Sequence, residues 1–176
     1  MADEYKILVF SDSHGVRRYI REALRAHAGT ADAAFHLGDG ALDLLETAPE
    51  FMPLTVRCVV GNCDSPMLLS LRGFPDVPAE EVAEIGGVRF LMLHGHTRNA
   101  KYTDERMIAL VEEKHCDAVL YGHTHSEACY YVPAPHDPEK RILVFNPGAN
   151  KAENHPYGVI YVKDGQIVAS HANGRT

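Results

Sequence analysis

Five short segments hold the residue types that do metal chemistry: Asp12-x-His14, Gly38-Asp39, Gly61-Asn62, His94-Gly95-His96 and Gly122-His123-x-His125. Carboxylate, amide and imidazole groups form a mixed oxygen and nitrogen donor set, suited to Mn²⁺, Fe²⁺, Zn²⁺ or a similar ion. The chain carries 11 His, and histidine is both the commonest metal ligand and the usual acid or base near neutral pH. Singly, each segment has a plainer reading. Asp12 or Asp39 caps a helix, Asn62 turns the chain, and His94 is a hydrogen-bonded structural residue. Together they are harder to explain that way. Two carboxylates, an amide and four imidazoles in one place would be costly to desolvate without a cation. With one carboxylate shared, these groups can serve two metals, and ions ~3.5–4 Å apart are a recurring device for phosphoester hydrolysis.

What positions them is a series of apolar runs. Lys6 to Phe10, Ala33 to Leu37, Thr55 to Val60, Val88 to Leu93 and Ala118 to Tyr121 each read as a strand, and each stops at one of the five segments. Open α/β sheets bind ligands beyond the carboxyl ends of their strands, so the segments should converge on one edge. On an extended segment His123 and His125 would face the same side.

Between these runs, Val16, Tyr19, Ile20, Ala23 and Leu24 recur at helical spacing, stopped by Gly29. Leu42, Leu44 and Leu45 suggest a short helix, and Pro66 to Pro78 a connector with one helical turn. Thr103 is the expected N-cap of a helix burying Met107, Ile108, Leu110 and Val111 and ending near His115. Hairpins are expected for Glu81 to Ile85 with Val88 to Leu93, and for Tyr157 to Val162 with Ile167 to Ser170. A third pairs Cys129 to Val132 with Ile142 to Phe145 across a turn from Pro133 to Lys140, and Asn146-Pro147-Gly148 reads as a further turn. Strands alternate with helices early and hairpins dominate late. The expectation is a single α/β domain over 1–176: a two-sheet sandwich, one sheet largely parallel and one more antiparallel, helices outside.

Composition removes other classes. With 24 acidic against 17 basic residues and a net charge of −7, no broad platform for long nucleic acid is expected. No apolar run approaches the ~20 residues of a membrane span. Met1 to Glu4 is acidic and lacks the apolar core of a signal peptide. Cys58, Cys63, Cys116 and Cys129 form no C-x-x-C pair, which fits free thiols in a reducing, cytoplasmic setting.

In order and combination, D-S-H, G-D-G, G-N-C-D, H-G-H and G-H-T-H resemble the calcineurin-like metallophosphoesterase superfamily, and within it the small bacterial and archaeal phosphodiesterases, from Lys6 to about Gly148. The resemblance implies a four-layer α/β/β/α sandwich of two mixed sheets with a dinuclear metal centre at strand ends. By position, Asp12, His14, Asp39 and His125 would hold one metal, with Asp39 bridging to a second completed by Asn62, His94 and His123. His96 would contact substrate or a ligand. Mn²⁺ is the first expectation, with Fe²⁺, Ni²⁺ or Zn²⁺ as alternatives.

The implied activity is hydrolysis of a small phosphodiester by a metal-bridging hydroxide, Asn62 helping to stabilise the developing charge. Alternatives are a phosphomonoesterase or nucleotide pyrophosphatase on the same centre, or a protein-binding scaffold like the retromer subunit, whose last ligand position is not the His found here at 125. Cys63 stands where many members have a His thought to protonate the leaving group. A thiol with a pKa of ~8.5 is a poor acid at neutral pH, so good leaving groups, His96 or a metal-bound water could replace that function. Asp64 would orient a ligating His or cap a turn. Arg17, Arg98, Lys101, Tyr102, Tyr130 and His136 are pocket candidates, each with a surface role as the plainer reading. Relatives are often dimers or larger, and the late hairpins would supply a homo-oligomer interface.

Overall fold

The computed structural model describes residues 4–151 and 154–174, and its layering can be read from β1 (Glu4–Phe10). Ile7 and Val9 face an apolar layer between two sheets, while Leu8 and Phe10 face the helices behind. A strand covered on both faces has to be apolar at successive positions, which is why this run shows no polar alternation. Met1 to Asp3, part of the segment read as lacking a leader, lie outside the described residues.

In the first sheet β2 (Ala33–His36) and β3 (Thr55–Cys58) run parallel to β1, and β9 (Tyr157–Lys163) and β10 (Gln166–Ala172) add antiparallel strands on the other side, in the order β10-β9-β1-β2-β3. The second sheet contains β4 (Glu80–Ile85), β5 (Val88–Leu93), β6 (Ala118–Tyr121), β7 (Glu127–Ala134) and β8 (Asp137–Pro147), in the order β4-β5-β6-β8-β7. Its three central strands are parallel and both edges antiparallel. Between the sheets Phe35 meets Phe90 edge to face at 6.3 Å.

α1 (Arg17–Ala26), α2 (Ala41–Thr47) and α3 (Pro66–Leu71) supply Ile20, Ala23, Leu24, Leu44 and Leu69 to the layer behind the first sheet. α4 (Glu105–Glu113) lays Met107, Leu110 and Val111 against the second. The four-layer α/β/β/α arrangement is therefore as the resemblance implied.

Three details differ from the sequence reading. The two sheets are equally mixed, because the last hairpin returns to the first sheet beside β1 while β8 inserts parallel to β6. The hairpin of β7 and β8 is longer than expected, absorbing most of Pro133 to Lys140 and also Asn146-Pro147. Its prolines cost little, since β7 is an edge strand and β8 pairs with β6 only over Leu143–Phe145. Finally, Thr103 is not the N-cap of α4. Asp104 holds that position, with its carbonyl accepting from Met107 and Ile108, and Thr103 Oγ1 accepts only from the Glu105 N–H at 3.2 Å.

Candidate metal centre

Nine non-glycine residues among those described have positive φ, and five of them are Asp12, His14, Asp39, His123 and His125. Left-handed backbone costs an L-residue about 1–2 kcal/mol, and such residues gather at functional sites where their surroundings hold them. The strain has a geometric effect. Each chain turns sharply as it leaves its strand, so side chains that would have continued a pleat are redirected onto one edge. His123 (φ 68°) and His125 (φ 61°) therefore do not share a face of an extended segment, as their spacing suggested. His125 goes to Asp12 and His14; His123 packs its ring edge-on against His94, centroids 5.2 Å apart.

The loops are tied to each other by backbone. Asp12 N–H donates to Gly38 O and His14 N–H to Asp39 O, both at 3.0 Å. Gly38 (φ 93°) is required at its position. A Cβ there would lie 2.6 Å from Gly61 N and 2.9 Å from His94 Nδ1.

Asp12 is wholly buried and its two oxygens have different environments. Oδ2 accepts from the Ser11 hydroxyl at 2.6 Å and the His123 N–H at 3.0 Å. Oδ1 is buried and has no hydrogen-bond partner. It faces His125 Nε2 at 3.1 Å, His14 Nε2 at 3.9 Å and His94 Nε2 at 3.9 Å. His94, also buried, donates its Nδ1 proton to Leu37 O at 2.7 Å, which leaves Nε2 as a lone pair. That atom too has no hydrogen-bond partner, and it lies 3.4 Å from Asp39 Oδ2. Asp39 Oδ1 accepts from Cys63 N–H at 2.7 Å, and Oδ2 stands 4.0 Å from His14 Nε2.

These residues form two contiguous groups, Asp12 with His14 and His125, and Asp12 with Asp39 and His94. Donor atoms 3–4 Å apart are what O and N ligands bonded at ~2.0–2.2 Å to a common cation leave between them. A buried carboxylate oxygen and a buried imidazole nitrogen, neither with a hydrogen-bond partner, are the kind of donors a divalent ion takes, so the residues fit one.

Among themselves, His94 and the two carboxylates offset one another's charge. Burial works to raise the Asp39 carboxyl, but His94 and the Cys63 N–H outweigh it and hold it well below the usual carboxylate range. Burial works against a charged His94, and Asp39 with Asp12 reverse that and raise it. Burial lowers His96, His123 and His125, the first two also pushed down by His94.

The remaining expected residues stand at the rim. Asn62 is exposed and turns its amide to Cys63 Sγ at 3.2 Å. His96, exposed on a 3-10 turn, has its ring 5.5 Å from that of His94. The Cys63 thiol shares a small volume with His14 and Asp39; its hydrogen bond to Asp39 is the main influence raising its pKa. Asp64 does not reach a ligating imidazole. Its carboxylate accepts from the N–H groups of Asp39, Gly40, Ala41 and Gly61 at 2.8–3.1 Å, fixing the Gly38-Asp39 loop and the start of α2. Neither Asp12 nor Asp39 caps a helix, since Val16 and Gly40 occupy those positions. Arg98, Tyr130 and His136 are paired with Glu80, Asp104 and Glu112, and Lys101 and Tyr102 are exposed.

Behind the cluster lies a buried relay that the motifs did not indicate. His36 Nδ1 accepts from Gly38 N–H at 3.2 Å, so its Nε2 proton goes to Ser13 Oγ at 3.0 Å, and the Ser13 hydroxyl donates to Asp43 Oδ2 at 2.6 Å. Asp43 also accepts from Gly15 N–H at 2.8 Å and pairs with Arg17. Burial holds His36 neutral by lowering its pKa. Asn146, at the end of β8, donates to Gly122 O at 3.0 Å and Thr124 Oγ1 at 3.1 Å, anchoring the Gly122-to-His125 loop.

Comparison with known proteins gives the same reading. The calcineurin-like phosphoesterase superfamily domain matches residues 5–164. The probable metallophosphoesterase YsnB of Bacillus subtilis (strain 168) is 31% identical over 119 residues, 68% of this chain and 63% of that protein, so the chain spans less than two thirds of this relative. Among solved structures, a predicted phosphoesterase from Streptococcus pneumoniae TIGR4 superposes with a TM-score of 0.76 at 24% identity, covering 98% of this chain and 91% of that one. Vacuolar Protein Sorting 29 from Cryptosporidium parvum (TM-score 0.71, 16% identity, 96% and 97% covered) and an archaeal phosphodiesterase (0.71, 21%, 95% and 99%) share the fold. With the domain matched over nearly the whole sequence and the buried donors clustered where its strands end, the chain belongs to the calcineurin-like phosphoesterase superfamily.

Proposed function

We propose that this protein is a cytoplasmic phosphodiesterase that hydrolyses a small phosphodiester with two divalent ions, Mn²⁺ foremost. The observation carrying this reading is the pair of orphaned donors: Asp12 Oδ1 and His94 Nε2, buried side by side and hydrogen-bonded to nothing. Asp12, His14 and His125 would hold one ion, and His94, His123 and Asn62 the other, with Asp39 between them. When bound, such ions polarise the phosphoryl oxygens and make water a nucleophile at neutral pH.

The chain's own residues do the rest. The Leu37 carbonyl keeps His94 in the tautomer that presents Nε2, and the Ser11 hydroxyl and His123 N–H fix the rotation of the Asp12 carboxylate. The Asn62 amide, at the open side, donates to phosphoryl oxygen as charge builds. His96 and Cys63 flank that opening, and Asp39 makes the Cys63 thiol a weaker acid by raising its pKa. Among the described residues no helix is long and apolar enough to cross a membrane.

Purified protein reconstituted with Mn²⁺ should hydrolyse bis(p-nitrophenyl) phosphate, and Asp39→Asn should lose nearly all turnover. Tight metal binding with no turnover of diesters or monoesters would refute the proposal and favour a binding scaffold.

A further inference from the structure

A cavity of about 360 Å³ shares His14, Asp39 and Cys63 with the cluster. Its lining also has an apolar part: Leu42 on α2 and Leu68 and Leu69 on α3. Leu69 is buried in the layer behind the first sheet, whereas Leu68 is 43% exposed.

Apart from the metal-centre residues, the charged groups lining this cavity are held by the protein. Arg17 is held by Asp43 and Glu46, and Glu46 also takes Arg72 at 3.2 Å. The Asp43 carboxylate is occupied by Ser13, Gly15 N–H and Arg17. Asp64 is taken up by four backbone N–H groups. A ligand entering here meets leucine side chains and paired charges, and among the described residues lining the cavity the one Arg, Arg17, is already paired. An arm bearing a phosphate would lie against Asp43 and Asp64, with Arg17 already neutralised. An arm without charge would lose nothing polar and would cover Leu68.

We propose that this cavity binds one alcohol arm of the diester and selects an uncharged, flat or apolar arm, an aryl group or a nucleoside, against a phosphorylated one. The inference rests on the phosphodiesterase reading and adds the substrate class to it. It excludes, as preferred substrates, compounds whose arm continues in a phosphate chain.

The test uses the Mn²⁺-loaded full chain and two matched symmetric diesters: bis(thymidin-5′-yl) phosphate and the same compound carrying a 3′-phosphate on both nucleosides. Wild type should favour the first by about tenfold or more in kcat/KM, the range set by one well-placed pocket contact. Leu68→Glu, on the surface and without effect on the melting temperature, should raise KM for the uncharged substrate severalfold while leaving metal content unchanged. Glu46→Gln removes one of the two carboxylates that neutralise Arg17 and should narrow the preference from the other side, by improving the phosphorylated substrate. Equal use of the two substrates by wild type, or unchanged KM in Leu68→Glu, would overturn the assignment of the cavity while leaving the phosphodiesterase reading intact. Absence of any turnover by wild type would remove both.

Discussion

His94 gives its Nδ1 proton to the carbonyl oxygen of Leu37 at 2.7 Å, across the gap between the two sheets. Leu37 directly follows β2 and His94 directly follows β5, so one hydrogen bond fixes both the register of the two strand ends and the tautomer of the ring. The partner of a ligating imidazole is as much a part of a metal site as the ligand. His94→Ala should therefore reduce both metal content and turnover. We expect the Mn²⁺-dependent rise in melting temperature, which follows mass action, to shrink markedly relative to wild type. A variant that keeps the full Mn²⁺ shift would show that His94 is structural.

Ser13 is the link between two buried groups that the site depends on, His36 and Asp43. Ser13→Ala leaves the Nε2 proton of His36 without its acceptor, a loss on the order of 1–3 kcal/mol. It also loosens the loop that carries Asp12 and His14, and changes of this kind typically weaken metal binding about 10–100-fold. The two effects can be separated. Saturating Mn²⁺ should restore most of kcat in Ser13→Ala, because no group touching substrate has been removed. If kcat stays low at saturating metal, Ser13 acts on the reaction itself.

The legibility of this site in the sequence followed its chemistry. Asp12, Asp39, His94 and His125 stand in short polar segments at the ends of apolar runs, and that local pattern was enough to place them together. Ser13, His36 and Asp43 gave no comparable signal. His36 reads as one polar residue in the apolar run of β2, and Asp43 as a surface residue of a short helix. Only the fold shows that both are buried and face Ser13. A cue was present in hindsight: a histidine inside an otherwise apolar strand requires a partner. Of the two readings of Asp64, capping a turn rather than orienting a histidine is the one the structure shows. A carboxylate near ligands suggests a contact with imidazole, yet four backbone N–H groups were closer. Strand order was the other part that spacing could not specify, because whether β8 joins β6 parallel or folds back depends on contacts far along the chain.

A pH effect on stability should arise well away from the metal centre. Burial beside Tyr157, whose hydroxyl lies 3.1 Å from His27 Nε2, lowers the His27 pKa, and the Lys6 charge adds to this. In the unfolded chain the ring titrates near 6.5. As pH falls below that value the unfolded state takes up a proton that the folded state resists, so stability declines. The contribution is present above the unfolded pKa and is lost as pH drops through the folded one. Urea midpoints measured between pH 7.5 and 5 should therefore fall less steeply in His27→Gln than in wild type. Parallel slopes would show that the ring charges as readily when folded.

The clearest separation of fold from site comes from a single methyl group at Gly38. Its φ of 93° already disfavours any L side chain, and an added Cβ would press on Gly61 N at 2.6 Å and on His94 Nδ1 at 2.9 Å. Neither contact is the free end of a flexible chain. Gly61 belongs to the loop held by Asp64, and His94 is pinned by Leu37. Relief must come from parting the ends of β2 and β5, which moves Asp39 away from His94. Gly38→Ala should therefore weaken metal binding and abolish most turnover, with a loss of about 1–3 kcal/mol from backbone strain of this kind. Gly73 serves as the control. It also has positive φ (89°), but an added Cβ there meets nothing within 4 Å. Gly73→Ala should carry the conformational cost alone, with metal affinity and kcat unchanged. Should both variants lose metal equally, strain rather than the close approach of the two strand ends would be what organises the centre.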